Sequence, residues 1–163
     1  MPAESGGRRP TEENKVAALE ACYEEEHRLV SVFLETVQDV DAMIEALVGL
    51  PYPKAIAQLF STGRPLLSSD TPDHQMLIGA DGSRGVGVVW FSHTEGTVFS
   101  LRKNSTDETI VRYFLMGSVI EFFENCEIPL DNVRNAVKEF LVTDGQIPTC
   151  IEWQRAKLWY GEL

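Results

Sequence analysis

The chain has 163 residues, with 14 Lys and Arg against 25 Asp and Glu, a net charge of −11 at neutral pH. At 44% hydrophobic and 24% charged residues, its composition is neither that of a disordered chain nor that of a membrane protein. The length fits one domain whose folded surface is roughly 8,000 Å², enough for a core without disulfides or a structural metal.

Residues 1–15, MPAESGGRRPTEENK, hold three acids, three bases, Gly-Gly and Pro, and are expected to be a disordered lead-in. They contain no apolar core of a secretory signal, so the expected location is the cytoplasm. One domain is expected over 16–154, with a tail at 155–163. Val16–Glu26 can be read two ways. Its Ala, Leu and Glu favour a helix, whereas Leu19, Ala21 and Tyr23 also alternate as the inward residues of a strand. Val30–Leu34 reads as a strand.

A helix then follows Thr36-Val-Gln-Asp39, a capping-box-like start. Val40, Met43, Ile44, Leu47 and Val48 form one apolar stripe, and Gly49 and Pro51 end the helix. Ala55–Phe60 is a weaker strand candidate. Gln75–Gly79 and Gly85–Phe91 flank Ala80-Asp-Gly-Ser-Arg84, a hairpin signal. Thr97–Leu101 and Thr109–Met116 are expected to pair with each other across Arg102–Glu108. A second helix opens near Pro129 and Asp131, buries Val133, Val137, Phe140 and Leu141, and stops at Asp144-Gly145. Thr149–Trp153 is expected as a closing strand. Hairpin-linked strands with two one-sided helices predict an α+β domain: a largely antiparallel β-sheet with helices packed on one face.

Catalytic signatures are weak. The glycines of Gly79–Gly87 precede a strand and lack the Lys and helix N-terminus of a phosphate loop. His27, His74 and His93 fall in no zinc-ligand spacing, and Asp73 and Glu24–Glu26 read as solvated surface. Cys22, Cys126 and Cys150 form neither a CxxC pair nor a disulfide framework. Cys126 sits between Glu124 and Glu127, which raises its thiol pKa. No cofactor, metal or catalytic set is expected.

The negative balance suits a basic partner and not nucleic acid itself. Glu121-Phe-Phe-Glu124-Asn-Cys-Glu127-Ile-Pro-Leu-Asp131 has four acids and no base. Its plain reading is a solvated loop with one phenylalanine tucked inward. Its functional reading is an acidic, aromatic edge for a basic protein, extended by Asp107-Glu108. The candidate contact residues are Asp107, Glu108, Glu121, Phe123, Glu124 and Glu127, with Glu24–Glu26 as a rival patch.

Three pieces of the chain together resemble immunity-protein family 1 of bacterial polymorphic toxin systems. They are the capped helix at Thr36–Val48, the hairpin Leu77–Trp90, and the run from Tyr113-Phe-Leu-Met-Gly117 through the second helix to Pro148-Thr-Cys-Ile-Glu-Trp153. The resemblance spans about 16–154, and Gln146-Ile147 stands where an Arg-Pro step is expected. It tilts Val16–Glu24 toward a first strand. It implies a non-enzymatic cytoplasmic protein that binds a cognate toxin domain, often a nucleic-acid deaminase. The alternatives are a small-ligand-binding or regulatory domain, marked by a deep cavity, and an unrecognised enzyme, marked by perturbed titratable groups in a cleft.

Overall fold

The structure is a computed structural model in which residues 17–68 and 70–155 are described. The lead-in at 1–15 and all of the tail after Arg155 lie outside the described residues.

The ambiguity at the start resolves to a strand, β1 (Leu19–Cys22), followed by a short 3-10 turn at Glu25–Arg28. Leu19, Ala21 and Tyr23 point inward and are buried. Next come β2 (Val32–Leu34), α1 (Val37–Val48), β3 (Ala55–Ser61), β4 (His74–Asp81) and β5 (Val86–His93). The rest comprises β6 (Gly96–Ser100), β7 (Ile110–Leu115), β8 (Ser118–Phe123), β9 (Ile128–Pro129), α2 (Leu130–Val142) and β10 (Trp153–Arg155). The sheet runs β10-β6-β5-β4-β3-β1-β2, with β7 attached to β3 and β8 to β7. Every pairing is antiparallel except the single β3–β7 contact at Ala55 and Phe114. The expected α+β architecture with a largely antiparallel sheet is the one observed.

The Thr36 hydroxyl accepts the Asp39 N–H at 3.1 Å, and the Asp39 carboxylate accepts the Thr36 N–H at 3.0 Å, so the capping box at α1 is complete. Val40, Met43, Ile44 and Leu47 are buried against the sheet, but Val48 is exposed and drops out of the expected stripe. α2 buries Val133, Ala136, Val137, Phe140 and Leu141 on the same face. Arg134 and Lys138 of α2 both bond Asp41 of α1, at 2.8 and 3.1 Å, which ties the two helices together.

Alternation in the central strands divides the interior in two. Ala57, Leu59, Met76, Ile78, Val89 and Phe91 face the helices. Ile56, Leu77 and Val88 face the opposite way, where the β7–β8 hairpin covers them with Tyr113 and Phe122. Gly79 makes this cover possible, because a Cβ there would lie 2.5 Å from the Tyr113 ring.

Three expectations need correction. Residues 97–101 and 109–116 do not pair with each other. β6 folds back on β5 across Thr94-Glu95, with His93 opposite Gly96. β7 folds back on β8 across Met116-Gly117, both at positive φ. Two-residue turns close at a lower entropic cost than the longer Arg102–Glu108 connection, and the positive φ values of Met116-Gly117 also match strand twist. Glu121–Phe123 consequently ends strand β8 and is not a loop. The closing strand also begins later than expected, at Trp153, which pairs with Ser100.

Candidate functional site

Asp73 and His74 are not solvated surface. Asp73 receives both Arg64 Nε and Nη2 at 2.9 Å, and its Oδ1 lies 2.9 Å from His74 Nδ1. An Asp–His pair invites comparison with a catalytic dyad, in which the outer nitrogen must be open to a nucleophile. Here His74 Nε2 accepts the Ser61 backbone N–H at 2.8 Å. The ring is packed among Phe60, Phe91 and Phe140, and burial pushes its pKa down. Both nitrogens are therefore occupied, Nε2 in joining β4 to β3 and Nδ1 by the Asp73 carboxylate. His27 does similar work in the first turn, where Nδ1 accepts the Tyr23 and Glu24 N–H groups at 3.2 and 3.1 Å.

Glu127 is the largest departure among the expected contact residues. Its side chain is 1% exposed. It accepts the Tyr113 hydroxyl at 2.7 Å and faces the Arg84 guanidinium with both oxygens. Arg84 also binds the buried Asp81 at 2.7 Å, and Asp81 accepts the Ser83 N–H and hydroxyl within the β4–β5 turn. Burial pushes the Asp81 pKa up, but its bonds to Ser83 and Arg84 outweigh that and hold it below the usual range. Burial and the Glu127 bond raise the Tyr113 pKa. Glu127 thus anchors the hairpin to the sheet and is withdrawn from the surface set. The local sequence around it shows only acids, because its base comes from a turn 43 residues away.

Of the other five expected residues, the backbone brings Asp107, Glu108 and Glu124 together, while Glu121 and Phe123 lie along the end of β8. The Glu124 N–H donates to the Thr109 carbonyl at 2.6 Å, Asn125 N–H to the Asp107 carbonyl at 3.0 Å, and Arg102 N–H to the Asn125 carbonyl at 2.7 Å. These bonds staple the 102–109 loop to the turn after β8, placing Asp107, Glu108 and Glu124 on one shelf. The Thr109 N–H holds the Asp107 carboxyl below its usual pKa. Glu121 is exposed on β8 and receives Arg112 Nε at 3.0 Å. Phe123 is half-buried against the hairpin core. Glu121 and Phe123 line a small cleft with Phe99, Gln154 and Arg155. Arg102, Lys103 and Arg112 share this region, so its net charge is less negative than its carboxylates alone suggest.

The half of the sheet left open by the hairpin carries two further clefts, of about 460 and 470 Å³. They meet at Phe60 and are broad surface hollows, not the deep cavity that would mark a small-ligand site. Cys126 is buried, and burial, more than its acidic neighbours, pushes its thiol up to about 11. Among the described residues no three His, Cys, Asp or Glu side chains group as metal ligands. No helix among them is long and apolar enough to cross a membrane.

Fold and site together define an acidic α+β scaffold whose buried titratable groups are bound into structural networks. The chain belongs to the immunity protein Imm1 family, whose model matches residues 30–155. Membership makes it an immunity protein, with a cognate toxin as its partner. A comparison with curated proteins finds no match. The family match begins at Val30, so β1 lies outside it, although β1 is the strand that joins β2 to the rest of the sheet.

Proposed function

We propose that this chain works in the cytoplasm of a toxin-producing cell, where it binds a nucleic-acid deaminase domain of a polymorphic toxin and occludes its substrate groove. The domain that meets the toxin is the single unit 16–154. A deaminase draws a nucleic-acid strand along a cationic groove to a zinc-bound water. Carboxylates on a rigid surface can take the places of the phosphates in that groove. The observation that carries this reading is the stapled shelf, whose backbone hydrogen bonds hold the chain at Asp107, Glu108 and Glu124 in place next to the end of β8. A pre-ordered backbone loses less entropy on binding than a mobile one. The role asked of these residues is binding and not catalysis.

The test is a titration of the purified toxin domain with the wild-type chain and with the variant Asp107→Lys, Glu108→Lys, Glu121→Lys, Glu124→Lys. Glu127 stays untouched, because its reversal would unfold the hairpin. The expected result is a rise in Kd of at least about tenfold, with a steep loss of affinity as salt is added and an unchanged melting temperature. Equal affinity of the two proteins would remove the shelf from the interface.

A further inference from the structure

The strongest unassigned feature lies at the far edge of the sheet from the shelf. Among the described residues, β2 pairs only with β1. The backbone groups on its other side form an open edge, which natural sheets ordinarily blunt with charge, proline or a covering element. Here the edge is bordered by exposed apolar side chains instead. Leu29 is 90% exposed, Val30 75% and Phe33 53%. Three such residues in five positions are not scattered surface hydrophobes.

The setting of this edge is acidic. Glu20 lies directly across from Phe33, on the same side of the sheet, and accepts the Ser31 hydroxyl at 2.9 Å. Glu24, Glu25 and Glu26 form the turn before β2, and Glu35 follows it. Among the described residues, Arg28 of the same turn is paired to Glu25 at 3.2 Å. Behind Glu20 the sheet opens into the 470 Å³ cleft, walled by Gln58, Phe60 and Met116.

We infer that the open edge of β2 docks an extended, Lys- or Arg-bearing strand of the toxin partner, which adds to the sheet beside β2. The inference rests on the immunity reading. Strand addition supplies main-chain hydrogen bonds, and alternate side chains of the guest supply selectivity. Apolar guest residues meet Phe33 and Val30, and basic ones meet the five surrounding glutamates. A second copy of this chain is a poor guest, because a two-fold pairing would set the same glutamates against each other. This edge is separate from the shelf, which addresses the substrate groove.

The experiment is amide hydrogen exchange on the full chain, alone and saturated with the purified toxin domain, together with binding of two variants. The outward-facing amides of Val32–Leu34 are expected to slow at least tenfold in the complex. The variant Leu29→Lys, Val30→Lys, Phe33→Lys is expected to raise Kd at least tenfold at an unchanged melting temperature, and Phe33→Leu to change it less than threefold. If the toxin binds with these amides unchanged and the lysine variant at full affinity, the edge inference fails and immunity stands. If the toxin does not bind the wild-type chain, both readings fail. If the amides are already protected in a concentration-dependent dimer, or lose protection when residues 1–16 are deleted, this chain covers its own edge and the inference is overturned.

Discussion

In the network beneath the hairpin, carboxylates are part of the fold, with Asp81 and Glu127 buried around Arg84. At the β2 end, Glu25 and Glu26 stand exposed beside Leu29 and Val30, and Glu25 has only the exposed Arg28 as an ion-pair partner. The same residue type therefore serves architecture in the buried network and is left available at the β2 edge, as it is on the shelf. Charge counted along the chain does not separate the two uses. Burial beside a base does.

The largest expected effect comes from breaking the buried network. Glu127→Ala leaves Arg84 and the Tyr113 hydroxyl without their shared acceptor. It should destabilise the protein by about 3 kcal/mol, the low end for a broken buried pair because Arg84 is partly in water. Urea unfolding measures this, and a loss below about 1 kcal/mol would make the network a surface feature. Gly79→Ala should follow at about 2 kcal/mol, since the new methyl group overpacks the Tyr113 ring. If Gly79→Ala is neutral, the hairpin is loosely seated and the two ends differ less than described.

A smaller, pH-dependent effect belongs to His74, between the two regions. Burial holds its folded pKa below the ordinary 6.5. The unfolded chain therefore takes up the proton first, and stability falls as the pH drops through and below 6.5. Asp73, held below the carboxylate range by Arg64, adds further loss under more acidic conditions. Urea midpoints measured between about pH 7.5 and pH 5.5 should decline for the wild type and decline less for His74→Gln. A flat wild-type profile would contradict the buried, neutral ring. The smallest effects are expected at the β2 end, where Val30→Ser and Glu26→Gln should each change stability by less than about 0.5 kcal/mol. A large loss there would mean that the edge is structural and not available for docking.

Much of the fold could be read from the chain because its signals are local. The Thr36–Asp39 box, the α2 stripe and the Asp81-Gly-Ser turn each lie within a few residues. The α2 stripe falls as expected, whereas Val48 of α1, at the last position of the helix, reaches only the β4–β5 turn at Gly82 and stays partly exposed. The partners of β6 and β7 are not legible in the sequence, because strand period identifies strands without naming their neighbours. The deciding turns are Thr94-Glu95 and Met116-Gly117, neither of which carries the usual Asn-Gly or Asp-Gly signature. The Glu127 error has the same origin at the level of charge. Its partner lies 43 residues away, and no local pattern announces it. The resemblance to immunity proteins came from segment order, which survives such errors of pairing.

The central claim is protection by direct binding. The most direct test is to induce the cognate toxin domain in cells with and without the full chain, and then to purify the two proteins together. Rescue of growth with a stable one-to-one complex is the predicted result. Rescue with no complex, even at high protein concentration, would contradict binding and point instead to repair of the toxin's damage.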